Sequence, residues 1–116
     1  MGDPLTGFVT NRLVWGGNSR WWIIETIESY NGKRDDPNTF QSNFLQWFSE
    51  NAFGGTSYSN TPVGAVTHVF EPGLSGVNDA SSYFGLWASK KNFAISAWYS
   101  RITPAFQAVG DPFVTK

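Results

Sequence analysis

Thr61 to Gly76 reads TPVGAVTHVFEPGLSG, and its reading decides the fold. Val63, Ala65, Val66 and Val69 are small or β-branched and lie between turn-forming residues, with Pro62 before them, Gly64 near their start, and Pro72 and Gly73 after. A short apolar run of this kind suits a central strand covered on both faces, and the glycine-bounded loop after it suits the carboxyl end of a sheet. In α/β proteins ligand sites gather at that end. The only histidine of the chain, His68, falls near the end of the run and is followed by Glu71.

Working back from this strand, Trp21 to Tyr30 (WWIIETIESY) alternates. Trp21, Ile23, Glu25, Ile27 and Ser29 share one face; Trp22, Ile24, Thr26, Glu28 and Tyr30 share the other. Both faces start apolar and turn polar, as a strand would on entering a covered sheet and emerging at its carboxyl edge. Ile23, Ile27 and Tyr30 also share helical spacing, so a short helix is the competing reading. Asn31-Gly32 is a turn signal. Asp36-Pro37 offers an N-cap and a first helical residue, and Phe40, Phe44, Trp47 and Phe48, with Leu45 and Ala52, form a helical stripe that Gly54-Gly55 would stop. Residues 1 to 20 read as a loop with a short edge strand at Arg12 to Trp15.

Working forward, Asn78 or Asp79 can cap a helix carrying Tyr83, Phe84, Leu86 and Trp87. Lys90-Lys91-Asn92 interrupts it, and Phe93, Ala94, Ala97 and Trp98 resume the pattern to about Ser100, before Thr103-Pro104 ends it. Phe106 to Val109 is a short apolar strand, and Gly110-Asp111-Pro112 is a tight turn in which Asp111 bonds its own backbone. A similar GDP turn at Gly2 to Leu5 is too short a match to establish a repeat. The order strand, helix, strand, helix, helix, strand predicts a single α/β domain, a small three-layer sandwich whose mainly parallel sheet is flanked by helices.

Composition bounds the function. A chain of 116 residues with six Trp, ten Phe and four Tyr but only 15% charged residues can fill a bulky core. The net charge of −1 and the lack of a Lys or Arg run give no footprint for a nucleic-acid backbone. No apolar run approaches the ~20 residues of a bilayer span, so no membrane insertion is expected, and the N-terminus shows no signal-peptide pattern. Zero cysteines exclude disulfides, thiolate catalysis and Cys-based zinc sites, and a single histidine excludes multi-His metal centres. No cofactor is expected. An all-oxygen calcium site is the one metal arrangement left open.

Three blocks in order, GAVTHVFEPGL, FAISAWYS and QAVGDPFV, resemble the C-terminal part of the caspase-like or gingipain-like α/β domain of uncharacterised exported bacterial proteins. The resemblance covers about Val63 to Val114, with a looser one from Trp21 to Gly32. It implies that the chain is the second half of a larger caspase-like domain, in an extracytoplasmic protein. In that family a catalytic cysteine precedes an Asn-Gly; here the resemblance puts Ser29 in its place. A serine without an adjacent base is a poor nucleophile.

Two classes of function follow. The first is a non-catalytic structural or interaction domain whose exposed aromatics meet a neighbouring domain or protein chain. The second is a hydrolase in which Ser29, His68 and Glu71 or Glu28 work together at the strand ends, which requires Ser29 and His68 within hydrogen-bond reach. Glu28 with Glu71 is the carboxylate pair geometrically open to glycoside hydrolysis, since Glu25 and Glu28 would lie on opposite strand faces. A third reading, peptide or carbohydrate binding, would use Trp21 and Trp22, with Trp15 and Trp47, as a stacking platform. Each residue also has a plainer role: His68 as a hydrogen-bonded structural residue, the glutamates as solvated or capping groups, and the tryptophans as core. Gly16-Gly17 and Gly54-Gly55 lack the lysine and spacing of a phosphate loop.

Overall fold

The computed structural model describes residues 20–34 and 43–116. The expected edge strand at Arg12 to Trp15, the Gly2 to Leu5 turn, Trp15, Gly16-Gly17 and the helix start at Asp36-Pro37 with Phe40 lie outside the described residues.

Three strands form one sheet: β1 (Ile23–Glu25), β2 (Gly64–His68) and β3 (Phe106–Gly110), in the order β1-β2-β3. β2 is central and every one of its residues is buried, as its uninterrupted run of small and β-branched residues requires. β1 runs parallel to β2, with Ile23 opposite Gly64 and Glu25 opposite Val66. β3 runs antiparallel to β2, with Gly64 opposite Gly110 and His68 opposite Phe106. The fold is therefore α/β with a mixed sheet, and the expectation of a mainly parallel one is corrected.

The connection explains the reversal. Two helices, α2 (Ala80–Ala88) and α3 (Phe93–Ser100), separate β2 from β3. The Asp79 N–H donates to the Ser100 carbonyl at 2.8 Å, so the start of α2 lies against the end of α3. An even number of antiparallel helices returns the chain to the end of the sheet it left, and the next strand must run backwards. Lys90 adopts φ 63° between them, and Asn92 caps α3 by accepting from the Ile95 N–H at 2.9 Å.

The sheet has a core on each face. Ile23 and Val66 meet Tyr83, Trp87, Phe93 and Ala97 of the helix pair. Ile24 and Ala65 meet Trp47, Ala52 and Phe53 on the other face. Burial of each of the larger side chains contributes about 1.5–3 kcal/mol. At Gly64 the absence of a side chain lets Phe93 approach, since a Cβ there would lie 2.4 Å from the ring.

On the second face the expected long helix is a single turn, α1 (Phe44–Trp47), followed by a 3-10 turn at Ala52–Gly54. Asn43 is extended and forms a reciprocal capping box with Gln46, so α1 begins there. The helix stops because the Ser49 hydroxyl donates to the Gln46 carbonyl at 2.8 Å, competing with continued helix. β1 is likewise shorter than the alternation from Trp21 to Tyr30 suggested. It ends at Glu25, because past Thr26 the chain turns to bring Gly32 onto the end of β2, its N–H donating to the His68 carbonyl at 3.0 Å.

Candidate functional site at the carboxyl rim

Because β1 and β2 are parallel, the segments leaving their carboxyl ends meet at one rim. Asn31, 2% exposed, ties them together. Its side-chain amide donates to the Thr26 hydroxyl, its Oδ1 accepts from the His68 N–H at 3.1 Å, and its carbonyl accepts from the Phe44 N–H at 3.0 Å. Tyr30, at φ 60°, makes the reversal that puts Asn31 in place. Sequence reasoning saw Asn31 only as half of a turn; its role as a clamp between three segments depends on contacts far along the chain.

Ser29 and Glu71 meet across this rim. The Ser29 hydroxyl donates to Glu71 Oε2, and the Gly73 N–H donates to Glu71 Oε1 at 2.8 Å. Chiefly through the Ser29 bond, and then through Gly73, the exposed Glu71 carboxyl is held below its usual range. A carboxylate so stabilised is a weak base. His68 is fully buried and neither ring nitrogen makes a hydrogen bond of ordinary geometry. Burial pushes its pKa down, while the Glu28 backbone carbonyl and the Glu71 charge act in the opposite direction. The hydroxyl of Ser29 is thus paired with a carboxylate and not with the imidazole.

The remaining expected site residues are dispersed. Glu28 is 7% exposed, whereas Glu71 projects into solvent, so these two carboxyls do not present matching faces to a bound sugar. Because β1 ends at Glu25, the opposite-face relation of Glu25 and Glu28 does not apply. Trp21 is exposed, but Trp22 turns inward against Phe53, ring centroids 5.0 Å apart and edge-on, and Trp47 is fully buried. The platform expected of Trp21, Trp22 and Trp47 is therefore not formed: two of the three fill the second core. Asp111 fills its turn role, its Oδ1 accepting from the Phe113 N–H at 2.9 Å. Among the described residues no group of three or more acidic or histidine side chains could hold a metal ion.

Two features of this region escaped the sequence. Glu25, at the end of β1, faces the helix pair, and its pKa is raised to about 7, first by burial and then by the charge of Asp79, with Asn78 acting against the shift. The Tyr83 hydroxyl beside it donates to the Ile24 carbonyl at 3.3 Å and is also pushed up by burial and by Glu25. The second is an apolar surface. Ile27, Phe70, Leu74 and Ile102, which follow β1, β2 and α3, are 72%, 62%, 90% and 54% exposed. A cavity of about 350 Å³ opens among Phe70, Glu71, Pro72, Thr103, Pro104 and Ala105.

No family model, curated protein or solved structure matches the chain. Its function is accordingly argued from the rim itself. Among the described residues no helix is long and apolar enough to cross a membrane.

Proposed function

We propose that the chain is a non-catalytic interaction domain that docks another protein domain or chain on the carboxyl rim of its sheet. The observation that carries this reading is the exposure of Phe70 in the wall of the Phe70–Pro104 cavity, with Leu74 and Ile102 exposed next to its lining segments and Ile27 exposed past β1. Large apolar side chains gathered at one end of a molecule mark a contact surface. The polar groups of the same rim support it: Ser29 and Glu71 satisfy each other, and the buried His68 ring is not paired with the hydroxyl it would have to activate.

The resemblance of Val63 to Val114 to caspase-like domains of exported bacterial proteins fits the same proposal. The chain would then supply the second half of such a domain outside the cytoplasm, and the rim would meet a neighbouring part of the assembly. The arrangement of a central strand, a helix pair and a returning strand is compatible with it.

Two measurements test the proposal. A photo-crosslinking residue placed at Leu74 in cells of the source should give one discrete protein adduct that is lost on Phe70→Ser; diffuse or absent adducts would count against docking at the rim. A fluorophosphonate probe should leave Ser29 unlabelled, and stoichiometric labelling that disappears in Ser29→Ala would establish the hydrolase reading instead.

A further inference from the structure

We infer that the outer edge of β3 is a self-association surface, on which a second copy of the chain pairs β3 with β3 antiparallel about a two-fold axis at Ala108. This surface is separate from the rim, and its backbone groups define it. The Val69 N–H donates to the Ala105 carbonyl at 2.8 Å and the Asp111 N–H to the Val63 carbonyl at 3.3 Å. Hydrogen-bonded pairs alternate along an antiparallel ladder. With the observed register, Gln107 and Val109 therefore point their backbone groups at β2, and Phe106, Ala108 and Gly110 point theirs outward.

Of these outward groups the Phe106 N–H is already taken by the Thr103 carbonyl at 3.4 Å. The Phe106 carbonyl, the Ala108 N–H and carbonyl, and the Gly110 N–H and carbonyl remain, and no other described strand covers them. Leaving aside the Gly110 carbonyl, which would face a Phe106 N–H already engaged by Thr103, they are disposed symmetrically about Ala108. A second copy turned by a two-fold at that residue forms a pair of bonds between the two Ala108 residues. At each end it adds a bond from Gly110 N–H to the other copy's Phe106 carbonyl. No new donor is left over apart from Phe106 N–H, which has its own partner.

The side chains agree with the backbone. Phe106, Ala108 and Gly110 share the face that carries α3, and with Phe93, Ala97 and Trp98 they line a groove of about 290 Å³. In the two-fold arrangement each Phe106 ring stands opposite Gly110 of the other copy, where no side chain obstructs it. Trp98, 61% exposed, would pass from water into the joint between the two helix layers. An unpaired edge is normally guarded by a charge, a proline or a bulge. Phe106-Gln107-Ala108-Val109-Gly110 contains neither charge nor proline, and its register with β2 has no bulge. An isologous interface uses one patch twice, which is what this symmetric pattern supplies.

The chain has no cysteine, so a single introduced one reports the register. Two Ala108 Cα atoms in such a pair would lie about 5.5 Å apart, within disulfide range. In the full-length protein, Ala108→Cys should form a disulfide-linked dimer under mild oxidation at a rate at least about tenfold above a Lys91→Cys control in the helix turn, as held proximity requires over chance collision. The unmodified chain should sediment as a concentration-dependent dimer, and Ala108→Lys, at an exposed position, should be monomeric with an unchanged circular dichroism spectrum. Equal crosslinking at both positions, or a monomer at all concentrations, would overturn the inference. So would hydrogen-exchange protection of the Ala108 N–H in a strictly monomeric sample, since a different segment would then cover the edge.

Discussion

Glu25 and His68 are ionisable groups in the interior, and they bias stability in opposite directions. The folded-state pKa of Glu25 is raised to about 7 from 4.5, so between those values the folded chain binds the proton more tightly than the unfolded one. Its contribution is full below about pH 4.5 and is lost as the pH rises through 7. With part of the side chain in contact with water, the loss is on the order of 1–2 kcal/mol. Urea unfolding at pH 5 and pH 8 should show this decline, and Glu25→Gln should flatten it; an unchanged slope in the variant would place the titration elsewhere. His68 has a lowered folded pKa, so its contribution is present above the ordinary pKa of 6.5 and falls as acid protonates the unfolded chain first. The same unfolding series in His68→Gln should lose that acid-side fall. At Asn31, whose side chain joins Thr26 to His68, replacement by alanine should cost about 1–3 kcal/mol through the unsatisfied backbone donor it leaves.

At the scale of elements, α2 and α3 are held to the sheet by caps and close approach. Asp79 accepts from the Ser81 N–H at 3.0 Å and from the Ser82 hydroxyl at 2.5 Å. Asp79→Ala should therefore lower stability by about 1 kcal/mol at neutral pH. Because Asp79 also raises the Glu25 pKa, the variant should shift that titration downward, a change that proton NMR of the Glu25 carboxyl can follow. Gly64→Ala should be worse despite its small size: the added methyl would press on the Phe93 ring, costing about 1–3 kcal/mol in chemical denaturation. The same elements separate what local sequence can reveal from what it cannot. β2, the helix pair with its break at Lys90 to Asn92, and the turn at Asp111 all follow from local signals: a small apolar run, caps, and turn residues. An aromatic stripe has helical spacing whether or not the backbone completes the helix, so the stripe from Phe44 to Ala52 overstates the length of α1. The Asn43–Gln46 capping box was the available signal for its start.

The described residues form a two-faced core and leave two surfaces uncovered among themselves, the carboxyl rim and the β3 edge. Phe70→Ser and Leu74→Ser should change stability by no more than about 0.5 kcal/mol, because both side chains are exposed, while removing any association through the rim. Thermal melts alongside the Leu74 crosslinking assay check both halves of that expectation. A large loss of stability would mean that the rim packs as core. Of the proposed site, the sequence carries only the placement of Ser29, His68 and Glu71 at the ends of two parallel strands; that Ser29 bonds Glu71 and not His68 is not legible in it. The orientation of the His68 ring, the burial of Glu28 and the inward turn of Trp22 were not legible, because each depends on packing by residues distant in the chain.

The sequence by itself determined a central β2 buried on both faces, the parallel pairing of β1 with it, two short helices before β3, and the absence of thiol chemistry. These are consequences of residue size, local periodicity, capping and composition. Only the tertiary structure decided that β3 runs backwards, that Asn31 clamps the rim, that Glu25 is half-buried within reach of the Asp79 charge, and which aromatic side chains remain in water. Those outcomes depend on which end of the sheet each connection returns to and on which surfaces the two helix layers leave uncovered. Neither quantity is carried by any local stretch of residues.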